Sequence, residues 1–347
     1  MTTEITAAGV GEMRAASTAD GGTALTTTPT FIGILPGSHH IFITPRNFAT
    51  AVVAKWAINP YIVVLKTTDA MATVTDYTSA ANDSDAATVV DVGSLSTLAN
   101  GDCLIVGSPL PFRGVYVDIA AANTAGTATT SVFYWNGSIW ADTSATDGTN
   151  STMTLAVDGL VYWTVPSAWR KAKLNTIYSS CTSGTGTVTS SPVLLTQTIP
   201  NVITVSAGGT AIIVIPPGAT GIATSGTATI TGSPVTLVPG ANSVTTGATT
   251  GTFIIRYVIN SPMAYSELEW YWTRWSVSAA LADSTVTFSS MRAANRSTAY
   301  AEFASGQKFE ERVHYGIGGS ACVEALVNDG TGNLIVDCAA PFGGRLS

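Results

Sequence analysis

Few residues in this chain have the types and spacing of a catalyst. A histidine acts as a base or a ligand only with a nucleophile, a carboxylate or further ligands around it. Neither the His39-His40 pair nor His314 has such a partner nearby in sequence, so all three read as satisfied or surface imidazoles. The four cysteines, Cys103, Cys181, Cys322 and Cys338, are far apart and form no Cys-x-x-Cys pair, which argues against zinc and for buried free thiols. Cys322 and Cys338 flank an expected hairpin and could lie near each other, so a disulfide between them stays open. Gly316-Ile-Gly-Gly-Ser320-Ala-Cys322 lacks the second glycine of a nucleophile elbow, and no helix pattern follows it. The acids at Asn82-Asp83-Ser84-Asp85 and around Asp142 and Asp147 could offer oxygens to calcium. Neither group fits the twelve-residue loop with its terminal Glu, and turn capping is the simpler reading. No catalytic, metal or cofactor residue is assigned.

The aromatic residues are the better candidates. Trp135, Trp140, Trp163, Trp169, Trp270, Trp272 and Trp275 could stack on sugars, because an indole offers a flat apolar face with a polar edge. They lie within β-branched segments, which equally suits a packed aromatic core. Trp135, Trp140, Trp270 and Trp272 are taken as possible ligand-binding or interface residues.

The elements that must position them are strands. Val115–Ile119, Ser131–Trp135, Leu160–Val165 and Ser284–Phe288 are β-branched and aromatic runs bounded by turn residues. Asn136-Gly137, Asp147-Gly148, Asp158-Gly159 and Asp329-Gly330 are expected turns, since these residues tolerate positive φ. In Trp270–Val277, alternation puts Trp270, Trp272 and Arg274 on one face and Tyr271, Thr273 and Trp275 on the other. Aromatic residues on both faces imply burial on both sides or an aromatic platform. No segment shows a long amphipathic helix.

Composition narrows the class. Only 11% of the 347 residues are charged, yet 46% are hydrophobic and mean hydropathy is +0.31, so the chain is not of the disordered type. Apolar runs such as Tyr61–Leu65 and Ala211–Pro217 are strand-length, far below the roughly 20 residues of a spanning helix. The first residues lack a basic stretch followed by an apolar core, so no secretory signal is read. Net charge of −7 with 15 Lys+Arg argues against a nucleic-acid partner.

From Leu174 to Ile255 there is no Asp, Glu, Lys, Arg or His at all. Within that block, Thr182-Ser-Gly-Thr-Gly-Thr-Val-Thr-Ser-Ser-Pro192 matches Thr224-Ser-Gly-Thr-Ala-Thr-Ile-Thr-Gly-Ser-Pro234. At the same offset, Val202 and Thr204 would correspond to Val244 and Thr246, and Gly209-Thr210 to Gly251-Thr252. The expected fold is therefore all-β: an antiparallel, jelly-roll-like β-sandwich interrupted by a small inserted β domain, with an extended N-terminal arm. The expected units are an arm over 1–30, a sandwich over 31–180 completed by 257–298, an inserted domain with an internal repeat over 181–256, and a C-terminal β-hairpin region over 299–347. The small polar residues of the arm suit docking on a neighbouring subunit, with folding back on its own domain as the alternative.

Several of these segments carry a further pattern. Phe112-Arg113-Gly-Val-Tyr-Val, Phe133-Tyr-Trp-Asn-Gly-Ser-Ile-Trp140, Thr146-Asp-Gly-Thr149, Tyr162-Trp-Thr-Val-Pro-Ser-Ala-Trp169 and Tyr271-Trp-Thr-Arg274-Trp-Ser-Val277 follow one another in order. Over about 96–170 and 270–290 the chain resembles β-rich virion structural proteins of tailed bacteriophages. Where that pattern passes directly from Pro-x-x-Trp to Tyr-Trp-x-Arg, this chain holds about 80 further residues, which is the expected insertion. The resemblance implies a non-enzymatic virion component assembled in the bacterial cytoplasm. Its partners would be other copies of itself and the major capsid protein or other virion proteins, with no nucleic acid, membrane or cofactor. A capsid decoration or head-associated stabilising role is the leading expectation. A baseplate or tail protein, or a carbohydrate-binding adhesin module, is the alternative.

Overall fold

A computed structural model describes residues 13–15, 22–47, 53–68, 71–83, 85, 87–95, 102–247, 250–281, 285–294, 301–304, 309–313 and 315–339. The chain is all-β, and every named strand pair is antiparallel. Among the described residues the two helices, Thr78–Asn82 and Leu174–Ile177, are single turns. The strands form six sheets among the described residues, and the sheet faces meet in sequence. We number them I to VI in that order.

Sheet I joins Met13–Ala15, Gly332–Ala339, His40–Arg46 and Phe309–Arg312, with Thr23–Leu25 also on Gly332–Ala339. Sheet II runs Ala301–Ala304, Val53–Pro60, Ser320–Val327 and Thr30–Gly33. Alternation in the His40–Arg46 strand sends Ile41 and Ile43 inward to meet Trp56, Val323 and Ala325 of sheet II, and these close one apolar core.

Sheet III holds Gly114–Ala121 and Thr287–Ala294 at its centre, and sheet IV holds Thr130–Trp135, Trp270–Val277, Cys103–Ser108 and Val63–Thr68. Val115, Val117, Phe288 and Met291 of sheet III meet Val64, Leu104, Val106, Val132 and Trp275 of sheet IV in the largest core. The other face of sheet IV is buried too. There Val63, Leu65, Cys103, Ile105, Trp270 and Trp272 pack with Leu174, Ile177 and Tyr178.

Sheets V and VI draw all their strands from Ser180–Ile259. Sheet V is Val193–Leu194, Ser180–Ser183, Gly209–Ile215 and Gly240–Thr246; sheet VI is Thr187–Val188, Asn201–Ala207, Gly251–Ile259, Ala219–Ser225 and Val235–Leu237. A single core lies between them, with Cys181, Leu195, Ile213, Ala223, Leu237, Phe253 and Ile255. The two repeat copies are interleaved. The first supplies most of sheet V but sends Asn201–Ala207 to pair with Gly251–Ile259 of the second, which returns Gly240–Thr246 to pair with Gly209–Ile215.

This pairing corrects the expected correspondence inside the repeat. Ile203 pairs Phe253 and Val244 pairs Ala211, so Val244 answers to Ile203, not to Val202. Burial agrees: Ile203 and Val244 are buried, whereas Val202 is 61% exposed. The loop before Val244 is one residue shorter than its counterpart. A one-residue slip turns every side chain to the other face, so the core fixes the register.

Two further expectations change. Ser320–Val327 and Gly332–Ala339 are not a hairpin; the turn at Asp329-Gly330 carries the chain from sheet II to sheet I. Both strands bury a face, and facing each other across a core buries more apolar surface than lying side by side. As a result, residues 30–60 close a sandwich with 301–339 and do not pair with the strands of sheets III and IV. Within the expected arm, Met13–Ala15 and Thr23–Leu25 both pair with Gly332–Ala339 of the same chain, and Leu25 is fully buried. The rest of residues 1–21 lies outside the described residues.

Sheets II and III meet through a buried ion pair and an aromatic stack. Glu324, fully buried, accepts a hydrogen bond from Asn59 Nδ2 at 2.8 Å and pairs with the Arg113 guanidinium. On the Thr287–Ala294 strand of sheet III, Arg292 donates to the carbonyls of Ala81, at 2.7 Å, and Asp83 at the end of the short helix Thr78–Asn82. Phe31 stacks on Tyr116 with centroids 4.8 Å apart. Each buried charge thus has a partner, as burial requires.

Candidate functional site

The seven candidate tryptophans are distributed over the two faces of sheet IV, whereas the eighth, Trp56, lies in the core between sheets I and II. On the side of sheet III, Trp163, Trp169 and Trp275 gather with Phe112, Tyr134 and Tyr271 through a chain of tilted and edge-to-face contacts 5.2–6.3 Å between centroids. On the other side lie Trp135, Trp140, Trp270 and Trp272. Trp272 is fully buried, stacks on Trp270 at 6.1 Å, and its Nε1 donates to the carbonyl of Ala172 at 2.7 Å. Gly107, directly opposite on the neighbouring strand, leaves the room it needs: a Cβ there would fall 2.1 Å from Trp272 Cζ3.

Of the four aromatic candidates, Trp135, Trp270 and Trp272 are core residues. Trp140 is half-buried and stands at the edge of a cavity of about 370 Å³. The hairpin that carries it, Thr130–Trp135 to Trp140–Asp142, turns at Asn136-Gly137 as the sequence suggests: Asn136 Oδ1 accepts the amides of Ser138 and Ile139, and Gly137 has φ of 106°. Asp147-Gly148 and Asp158-Gly159 are not hairpin turns of this kind. Their glycines instead let two backbones touch, since a Cβ at Gly159 would lie 2.2 Å from the Gly148 carbonyl oxygen.

The cavity is the gap where the outer face of sheet V overlies sheet IV. Trp135, Trp140 and Arg274 line it from sheet IV, and Ser180, Thr182, Leu194 and Val214 from sheet V. The Arg274 guanidinium lies 5.3 Å from the Phe133 ring centroid and 5.0 Å from that of Trp140. Among the described residues no carboxylate pairs with it, and its Nε is buried with no hydrogen-bond partner. Tyr178 lines it as well and packs in one apolar cluster with Cys103; burial pushes the Tyr178 hydroxyl well above its usual range and the Cys103 thiol up as well.

The remaining candidates take structural positions. Cys322 and Cys338 are free thiols. Cys338 sits in the core between sheets I and II, whereas Cys322 is at the opposite face of sheet II, so backbone separates them. Burial pushes the Cys322 thiol up to about 12. Asp83 caps its own turn, accepting from the Asp85 amide and the Thr88 hydroxyl; Ser84 lies outside the described residues. Asp147 is held by the Thr149 and Thr154 hydroxyls. His40 Nδ1 lies 3.0 Å from Glu310 on the adjacent strand, and His314 is outside the described residues. Among the described residues, no group of three or more His, Cys, Asp or Glu is placed to hold a metal.

Sequence reasoning placed Arg274 on the face of Trp270 and Trp272 but gave it no role. The signal was a lone cation alternating with tryptophans. That residues of the charge-free block would form the opposite wall was not legible, because nothing local says which face of the repeat turns toward sheet IV. Comparison of the chain with protein-family models, with curated proteins and with solved structures returns no match.

Proposed function

We propose that the chain is a non-enzymatic structural component of a tailed-phage virion, a capsid decoration or head-associated stabilising protein. It would work through interfaces with other copies of itself and with the major capsid protein. One observation carries the reading. Phe112, Tyr134, Trp163, Trp169, Tyr271 and Trp275, drawn from the ordered segments that resemble virion proteins, converge on one buried cluster between sheets III and IV. The pattern is therefore used to hold a scaffold together, and a rigid scaffold is what a protein working by surface burial needs. Baseplate or tail placement would use the same scaffold. A carbohydrate-binding adhesin is the second reading, favoured by the half-buried Trp140 at the cavity beside sheet V.

The test is immunogold labelling, with antibody to the full chain, of particles purified from the source that encodes it. Label over heads supports the decoration reading. Label confined to tails moves the protein there, and particles free of both label and chain by mass spectrometry overturn the virion assignment.

A further inference from the structure

The geometry points to the cavity between sheets IV and V as a binding site for a carboxylate-bearing sugar, such as a uronate or nonulosonate residue of a glycan. The proposal deepens the adhesin reading and is independent of where in a particle the protein sits.

Three features converge. The first is size: about 370 Å³ lies in the lower part of the range of small-molecule sites and suits one sugar ring. The second is the lining. Trp140, Ile139 and Leu194 are apolar surfaces for the C–H face of a ring, while Ser138, Ser180 and Thr182 bring hydroxyls that can exchange hydrogen bonds with those of a sugar. The third is charge. Among the described residues Arg274 is the only charged side chain in the lining, and its guanidinium lies against the Phe133 and Trp140 rings with no acid partner there. Protein cations in half-buried positions ordinarily meet an acid, as Arg113 meets Glu324 in this same chain. A guanidinium fixed by two rings has its planar N–H fork already oriented, which favours a carboxylate over a neutral hydroxyl.

The walls come from different parts of the chain. Arg274 and Trp140 belong to sheet IV, whereas Ser180, Thr182 and Leu194 belong to the first copy of the repeat. By the repeat's own symmetry, Arg256 and Thr236 occupy in sheet VI the places that Val214 and Leu194 occupy in sheet V. The copy that lines the cavity thus offers Val214 where its twin has a cation, and Arg274 supplies the site's one charge.

The experiment titrates the full chain with glucuronic, galacturonic and N-acetylneuraminic acids and with glucose and galactose, following tryptophan fluorescence and saturation-transfer NMR. We expect at least one acid sugar to bind at least about tenfold more tightly than the neutral sugars, the scale of one charge-assisted contact. Arg274→Gln should abolish that preference, and raised salt should weaken it. Because Arg274→Gln also removes packing on two rings, Leu194→Trp is the second variant: Leu194 is 38% exposed at the cavity rim, so a larger ring there should block binding while leaving the fold intact. Equal binding of acid and neutral sugars would overturn the carboxylate inference and leave the adhesin reading standing. Binding unaffected by both variants would overturn the cavity as the site and leave the adhesin reading standing, whereas no binding of any sugar would overturn both.

Discussion

A methyl group at Gly107 would occupy space already taken by the Trp272 ring, and neither side has freedom to yield. The indole is fully buried, stacked on Trp270 and tied by its Nε1 to Ala172. Gly107→Ala should therefore cost about 1–3 kcal/mol, the usual range for overpacking, read as a lower urea midpoint with an unchanged slope. The buried thiols give a second prediction at this scale. Cys322 and Cys181 are both pushed up to about 12 from an ordinary 9.0, so they stay protonated in the folded chain when the unfolded chain would ionise. A raised acid leaves stability untouched below its unfolded value and erodes it as pH climbs from about 9 toward 12. Urea midpoints should be level from pH 6 to 8 and fall by pH 10. Consistent with burial, a thiol reagent such as Ellman's should react with none of the four cysteines in the native chain at neutral pH and with all four after denaturation.

Within the repeat, each copy lends a strand to the other's sheet. Asn201–Ala207 finds its long partner only in Gly251–Ile259, and Gly240–Thr246 only in Gly209–Ile215. A fragment carrying one copy leaves a strand without its main partner and half a core without its facing sheet. We expect 180–221 alone to be unfolded by circular dichroism, whereas 180–259 as a pair should melt cooperatively. Folding of the single copy would show that the exchange is dispensable. Removal of 181–256 with the ends joined should leave a folded remainder, because the cores on either side of sheet IV are built mostly from residues outside that block. Its tryptophan emission should shift to the red, since Trp140 and Tyr178 lose the cover of sheet V.

Across the whole molecule, apolar cores lie between sheets I and II, III and IV, and V and VI, while sheets II and III meet through the Glu324–Arg113 pair, with Asn59 also on Glu324, and the Phe31–Tyr116 stack. Glu324→Ala should weaken that junction by about 3–5 kcal/mol, because it leaves Arg113 beside an emptied acceptor, and should separate the melting of the outer sandwich from the rest in calorimetry. At the outer edge, deletion of residues 1–28 removes the buried Leu25 and uncovers one side of Gly332–Ala339. An uncovered edge strand pairs with other chains. Light scattering should then report added mass, and an unchanged mass and melting temperature would show that these strands do not protect the edge.

The sequence by itself determined the strand character of the chain, the presence of aromatic residues on both faces of Trp270–Val277, the turn at Asn136-Gly137 and the self-similarity within the charge-free run from Leu174 to Ile255. Each of these is written in alternation, turn chemistry or self-similarity within a few residues of chain. Only the tertiary structure decided that Ser320–Val327 and Gly332–Ala339 face each other across a core, that Val244 answers to Ile203, and that Arg274 meets the hydroxyls of the repeat across a cavity. Alternation tells a strand which side chains share a face. It does not say which sheet that face will cover, because the partner is chosen by the apolar surface that distant segments bury together.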